Sequence, residues 1–247
     1  MPRGPRLIVP EVAVHIVQRS HDRRDCFRQD TDYLVYLANL KELASKAGCA
    51  LHAYCLMTNH IHMLLTPASA DSCARLMRNL GQRYVQYFNR RYQRSGTLWE
   101  GRFWSCLVDS ASYVTGCYRY IERNPVRAGM VPAPVAYRWS SYPGNAGLSV
   151  NQLLTPHAEY LALSEKQDSR HAAYRELVAE EDDPLFLAAI RDATNGGFGM
   201  ISQPLKTRLP ADAQVRVERK PAGRKPIARP EEGLSQLELE IGLRPAS

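Results

Sequence analysis

The 247-residue chain contains no pair of cysteines at C-x-x-C spacing. Its six cysteines, Cys26, Cys49, Cys55, Cys73, Cys106 and Cys117, stand apart inside apolar segments. That pattern argues against a zinc ribbon or a thioredoxin-type motif and suits reduced core thiols. No stretch approaches the roughly 18 consecutive apolar residues of a membrane span. The basic start, MPRGPRLIVPEV, lacks the apolar run of a secretory signal. No internal repeat is visible. These absences favour a cytoplasmic protein with no membrane partner. Acidic side chains are also in short supply, 25 Asp and Glu against 32 Lys and Arg, for a net charge of +7. Such a balance points to a polyanionic partner, nucleic acid first and anionic membrane second. With 45% hydrophobic residues the chain has enough apolar material for a real core.

What is present alternates between two periods. VAVHIVQR (12–19) reads as a strand, and RSHDRRD (19–25) as a charged loop. From Asp30, Leu37, Leu40, Leu43, Ala44 and Ala47 recur at helical spacing, and Gly48 is placed to end the helix. CALHAYCLM (49–57) and HIHMLLT (60–66) read as antiparallel strands around a Thr58–Asn59 turn. A second helix is expected over about 72–94, with Leu76, Leu80, Tyr84, Tyr87 and Phe88 along one stripe and many arginines elsewhere. An aromatic loop and a fourth strand fall within GTLWEGRFWSCLVD (96–109); Ser110 can then cap a helix that runs to about Arg123, before Pro125. The order β-α-β-β-α-β-α is that of a ferredoxin-like split βαβ plan, an α+β fold with an antiparallel sheet and helices on one face. The reading divides the chain into a domain over 1–145, a C-terminal helical extension over 146–205, and a basic, disordered tail over 206–247 rich in Pro, Arg and Lys.

MTNHIHMLL (57–65) sets two histidines two residues apart in a run that wants to be buried. On a strand, positions i and i+2 share a face, so His60 and His62 project together. Two imidazoles can converge on one metal ion, but an ordinary hydrogen-bonded pair explains a bare H-x-H better unless a further ligand exists. CYRYIERNPVRAGM (117–130) offers one. Tyr120 and Asn124 are four apart on a helix, hence on one face. A tyrosine hydroxyl is a usable nucleophile, and an asparagine carbonyl oxygen suits a hard divalent cation. Tyr113 and Tyr118 compete for the nucleophile's role, and spacing alone does not choose among the three.

Three segments in this order, YCLMTNHIHMLL, GTLWEGRFWS and RYIERNPVRAGMV, resemble the single-tyrosine HUH transposases, and within them the bacterial REP-associated tyrosine transposases. His60-Ile61-His62 matches the His-hydrophobic-His signature. The family's Tyr-Ile-x-x-Asn-Pro-Val block falls on Tyr120, Ile121, Asn124, Pro125 and Val126. The resemblance covers about residues 3–145 and, more loosely, LTPHAEYLAL (154–163) and RDATNGGFG (191–199). It implies Tyr120 as the catalytic nucleophile, His60, His62 and Asn124 as ligands of a divalent Mg²⁺ or Mn²⁺, and single-stranded DNA with hairpin structure as substrate. It further implies nicking and strand transfer through a 5′-phosphotyrosine link, a nucleoid-associated place in a bacterial cytoplasm, and either a monomer or a homodimer. Two positions depart from the family's habit: Ser20 where Gly is frequent, and Glu122 where His is common. No dedicated general base is visible; a metal-bound water or Glu122 is what remains for that role.

A single strand entering such a site needs aromatics for stacking and cations for its backbone. Trp99, Phe103 and Trp104, with Arg102, are candidates for the first task. Arg78 and Arg83 of the second helix, Arg19, Arg23 and Arg24 of the first loop, and the N-terminal Arg3 and Arg6 are candidates for the second. Two other functions compete with this reading: a DNA- or RNA-binding regulator that no longer cleaves, and a metal-dependent phosphoesterase without a covalent intermediate.

Overall fold

The structure is a computed structural model that describes residues 6–218. Strands β1 (Ala13–Arg19), β2 (Cys49–Leu56), β3 (His60–Pro67) and β4 (Trp104–Val108) form one sheet in the order β2-β3-β1-β4, with every neighbouring pair antiparallel. Helix α1 (Asp30–Ala47) connects β1 to β2, and α2 (Ser72–Arg91) connects β3 to β4. This is the expected split βαβ arrangement. The period-2 pattern fixes the two faces. Val14, Ile16, Ile61, Met63, Leu65 and Leu107 are all essentially buried and share the face under α1 and α2. Gly48, in the left-handed region at φ 65°, closes α1 as its position in the sequence predicts.

The second face is covered too. Helices α3 (Ala111–Glu122) and α4 (Asn124–Arg127) follow β4, and the short helices α5 (Tyr142–Asn145) and α6 (Ala158–Leu161) lead to α7 (Gln167–Ala179) and α8 (Pro184–Gly196). Helix α3 packs on β2 and β3, whereas α8 packs on β4 and β1. Residues past 145 therefore return to the sheet. Both sheet edges are capped as well: Ser140 bridges Cys55 beside β2, and Met200 bridges Val108 beside β4. Paired edges remove a template for unwanted strand addition.

The predicted start of the disordered tail, at 206, needs correcting. Helices α9 (Gln203–Arg208) and α10 (Ala211–Val217) occupy this stretch. Ala213 and Val217 are buried, the latter accepting a hydrogen bond from the Gly199 amide at 3.0 Å. Two apolar residues one turn apart suffice to dock so short a helix, and a composition argument overlooks them. Residues 219–247 lie outside the described residues, as does Arg3. No described helix is long and apolar enough to cross a membrane.

Candidate active site

The site is built where β1 and β3 lie beneath α3 and α8. Val17 pairs with His62 and Arg19 with His60, so His15, Val17, His60 and His62 share one face. The His60 and His62 rings sit 5.0 Å apart between centroids, nearly perpendicular to each other. His15, from β1, stacks on His62 at 5.3 Å, with Nε2 of His15 3.0 Å from Nδ1 of His62. Tyr120 completes the group: its ring stands edge-on to both His15 and His62, at 5.6 Å from each. All of these side chains come from one chain.

Each imidazole is braced on its Nδ1. Asn59 donates from its amide nitrogen to the Arg23 carbonyl at 3.1 Å, which turns its Oδ1 towards Nδ1 of His60 at 2.6 Å. His60 therefore donates from Nδ1 and keeps a lone pair on Nε2. Burial lowers the His60 pKa to about 4, helped by the nearby Arg19 charge. Burial also drives His62 well below its usual range, with the neighbouring His60 and His15 adding to the effect. Both rings are thus neutral near pH 7, the form able to ligate a metal.

Tyr120 is buried at 7% exposure. Arg127 stacks its guanidinium over the ring at 4.6 Å and also bonds to the Tyr120 carbonyl oxygen. Arg191 of α8 brings a second positive charge to the Tyr120 side chain. Burial raises the phenol pKa, while these two cations oppose the rise. Asp182, in the segment before α8, holds Arg123 at 3.2 Å and Arg127 at 3.3 Å. The competing tyrosines stand elsewhere. Tyr118 is buried against Tyr160 and Tyr174, and Tyr113 lies beside Phe186 on a surface groove.

Asn124 begins α4 rather than continuing α3, and its amide nitrogen turns back to the Tyr120 carbonyl at 3.4 Å. The carbonyl end of its side chain is then the end left for a cation. Among the described residues, no group of three or more His, Cys, Asp or Glu could hold a metal by itself. Two imidazoles and one amide oxygen would be an incomplete set that substrate oxygens must finish. Such a set suits Mg²⁺ or Mn²⁺ more than a closed structural zinc site.

The general-base expectation for Glu122 does not survive. Glu122 is fully buried on the far side of α3, and it accepts from Ser141 at 2.6 Å, Asn145 at 2.8 Å and Tyr174 at 2.6 Å. Two residues along a helix turn the side chain by about 200°, away from Tyr120. Trp99 is also corrected as a stacking platform. It is only 7% exposed, 6.0 Å from the Tyr84 ring and next to Gly81, because its loop folds under α2. Phe103 is buried beneath the Arg6 guanidinium, 3.7 Å away. Arg83 is engaged by Glu42 at 2.7 Å, which clamps α2 to α1. The remaining candidates are better placed. Trp104 is half-buried, and Arg19 lies 5.7 Å over its ring, beside His60. Arg23, Arg24, Arg78 and Arg102 are exposed, the last two around one surface pocket with Arg6 and Gln18. Sequence reasoning missed His15, Arg127, Arg191 and Thr194. His15 carried a signal, a lone histidine in a strand of aliphatics, and Arg191 and Thr194 lie in RDATNGGFG (191–199), a segment that the resemblance touches only loosely.

The site thus joins a ferredoxin-like sheet, a strand with paired histidines and a helical tyrosine that faces them. Residues 8–124 match the family described as Transposase IS200 like. The chain is 27% identical over 100 residues to a Haemophilus influenzae protein named as a REP-associated tyrosine transposase. That match covers 36% of this chain, and the chain spans 57% of the length of that curated relative. The fold also resembles a solved structure, that of the REP-associated tyrosine transposase bound to a REP hairpin. The TM-score is 0.51 at 16% identity, over 64% of this chain and 93% of that one.

Proposed function

We propose that the protein is an enzyme that nicks and rejoins single-stranded DNA through a 5′-phosphotyrosine intermediate on Tyr120, at repeats that form hairpins. The observation that carries this reading is the convergence of Tyr120 with His62 at 5.6 Å and of His62 with His60 at 5.0 Å. The match of residues 8–124 to the Transposase IS200 like family supports it, as does the hairpin-bound state of the structural relative.

In this reading the Tyr120 oxygen attacks phosphorus in line. A tyrosine O–P bond forms, the P–O3′ bond breaks, and the 3′ oxygen leaves as a hydroxyl after taking up a proton. Arg127 and Arg191 place positive charge around the phenol, where the hydroxyl must lose its proton and phosphate charge develops. His60 and His62 present Nε2, and Asn124 its carbonyl oxygen, as the groups that would hold a divalent Mg²⁺ or Mn²⁺. That ion would neutralise charge on a nonbridging phosphate oxygen. Arg19 and Trp104 lie on the His60 face of the sheet, and with the exposed Arg23 and Arg24 of the following loop they would guide the strand. Because the nucleophile and both histidines belong to one chain, a monomer holds a complete set, although a homodimer is compatible with it.

Incubation with a hairpin-bearing single strand and Mg²⁺ or Mn²⁺, followed by a denaturing gel, tests the reading. A covalent protein–DNA band should form and disappear in His60→Ala. DNA binding without any adduct would favour the regulator, and cleavage without an adduct the phosphoesterase.

A further inference from the structure

His62 does not end in solvent on its Nδ1 side. Its Nδ1 meets Nε2 of His15 at 3.0 Å. Nδ1 of His15 meets the Thr194 hydroxyl at 2.9 Å, and that hydroxyl meets the Cys106 sulfur at 3.3 Å. The chain runs from β3 through β1 to α8 and back to β4. Every member is buried: His15 is 1% exposed, His62 4%, Thr194 4% and Cys106 3%. With water excluded, protons along this line must be ordered, because each contact takes one donor and one acceptor.

Two orders are available. In the first, Thr194 donates to the Cys106 sulfur, His15 donates from Nδ1 to Thr194, and His62 donates from Nδ1 to His15. Nε2 of His62 then carries a lone pair. In the second, every donor is reversed, and Nε2 of His62 carries a hydrogen that blocks any ligand role. The His60 side of the site indicates the choice: there Asn59, oriented by the Arg23 carbonyl, accepts from Nδ1 and leaves Nε2 open. We infer that His15 and Thr194 are positioning residues, which hold His62 in its Nδ1–H form so that both histidines present Nε2 to the same ion. This inference rests on the reading of His62 as a metal ligand. Outer hydrogen bonds of this kind fix the tautomer of metal-binding histidines, and their loss costs about 10- to 100-fold in affinity.

The inference assigns a function to the C-terminal extension. Thr194 belongs to α8, seventy residues beyond the last position matched by the family segment, and Arg191 of the same helix reaches Tyr120. One helical turn thus serves both the metal-facing histidine and the nucleophile.

Thr194→Val keeps the shape and removes the hydroxyl, and Thr194→Ser restores it. Nitrogen-15 NMR of histidine rings in the metal-free protein should report an Nδ1–H tautomer for His62 in the wild type and in Thr194→Ser. In Thr194→Val it should report a shift towards Nε2–H. Mn²⁺ titrated with a hairpin strand carrying an uncleavable linkage should bind about 10- to 100-fold more weakly to Thr194→Val, with Ser restoring affinity. His15→Leu should repeat the Val result. An Nε2–H tautomer for His62 in the wild type overturns the inference. So does an unchanged tautomer with unchanged Mn²⁺ affinity in both Thr194→Val and His15→Leu. Should the wild type bind no Mn²⁺ at all, the metal reading fails, and the inference, which needs His62 to be a ligand, falls with it. The tautomer signals separate the cases, since they are read without metal.

Discussion

Tyr120 and Glu122 stand two residues apart on α3, and both are buried among polar groups, yet their surroundings are built differently. Around Glu122 every contact is closed: Ser141, Asn145 and Tyr174 all donate to the carboxylate, and α3 is thereby tied to α5 and α7. Around Tyr120 the contacts are edge-on rings and two cations, and His60 and His62 are bonded through Nδ1, which leaves Nε2 of each towards the site. A saturated cluster fixes the fold. A cluster braced from behind and open in front has something left for a substrate. The difference teaches that burial of a polar side chain is not by itself a functional signal; the count of satisfied partners decides.

The largest separation between the two sides should come from paired substitutions. Tyr120→Phe keeps the ring, its contacts with His15 and His62, and the Arg127 stack, so folding and DNA binding should persist while the adduct band disappears. Glu122→Leu strands the Tyr174 hydroxyl and one N–H of Asn145, while the Ser141 hydroxyl keeps the Tyr54 carbonyl at 3.1 Å. Each unsatisfied donor costs about 1–3 kcal/mol, so a loss of at least about 2 kcal/mol is expected. Urea melts should show that loss, and the soluble fraction should still form adduct per folded molecule. If Tyr120→Phe still forms a phosphotyrosine adduct, another tyrosine carries the chemistry. If Glu122→Leu is as stable as the parent, the cluster is not a brace.

Much of this was legible because strands and helices impose periods. His60 and His62 had to share a face, and Tyr118 had to leave the one that Tyr120 occupies. The order of elements led to the sheet, which the structure reproduces strand by strand. What was not legible depended on contacts distant in sequence. Thr194 lies 179 positions from its partner His15. Glu122 looked like a spare acid because its three donors come from residues 19, 23 and 52 positions further on. Trp99 read as an exposed aromatic because a loop's sequence does not say which way it folds. Arg83 read as a DNA contact, whereas Glu42, on a different helix, already holds it.

A smaller effect sharpens the comparison through pH. Burial raises the Glu122 pKa to about 7, and its three hydrogen bonds only partly oppose this. The folded state therefore keeps a proton that the unfolded chain gives up near 4.5. This group's contribution to stability is fully present below about 4.5 and is lost as pH rises through about 7. A difference of about 2.5 units corresponds to about 3 kcal/mol at most. Glu122→Gln mimics the protonated form at every pH. Its stability relative to the parent should therefore climb between pH 5 and pH 8, with adduct formation little changed. A stability difference that stays flat over this window would mean that the carboxylate is already ionised in the fold.

The smallest expected effect tests whether α8 belongs to the site or merely lies on it. A Cβ built on Gly116 of α3 would come within 2.6 Å of the Phe186 ring on α8, closer than real contacts allow. Phe186 is half-buried beside a surface groove, so the ring end can move outwards rather than break the core. Gly116→Ala also gains about 1 kcal/mol of helix propensity. Overpacking of this kind costs about 1–3 kcal/mol, so the two terms nearly cancel and the melting temperature should move little. The site should feel the change more. Phe186 shares α8 with Arg191 and Thr194, so moving the start of that helix disturbs the groups behind Tyr120 and His15. Adduct formation should slow by a few-fold in Gly116→Ala, and Phe186→Ala in the same chain should restore it by making room. A rate that stays at the parent value in Gly116→Ala would show that α8 covers the sheet without tuning the residues beneath it.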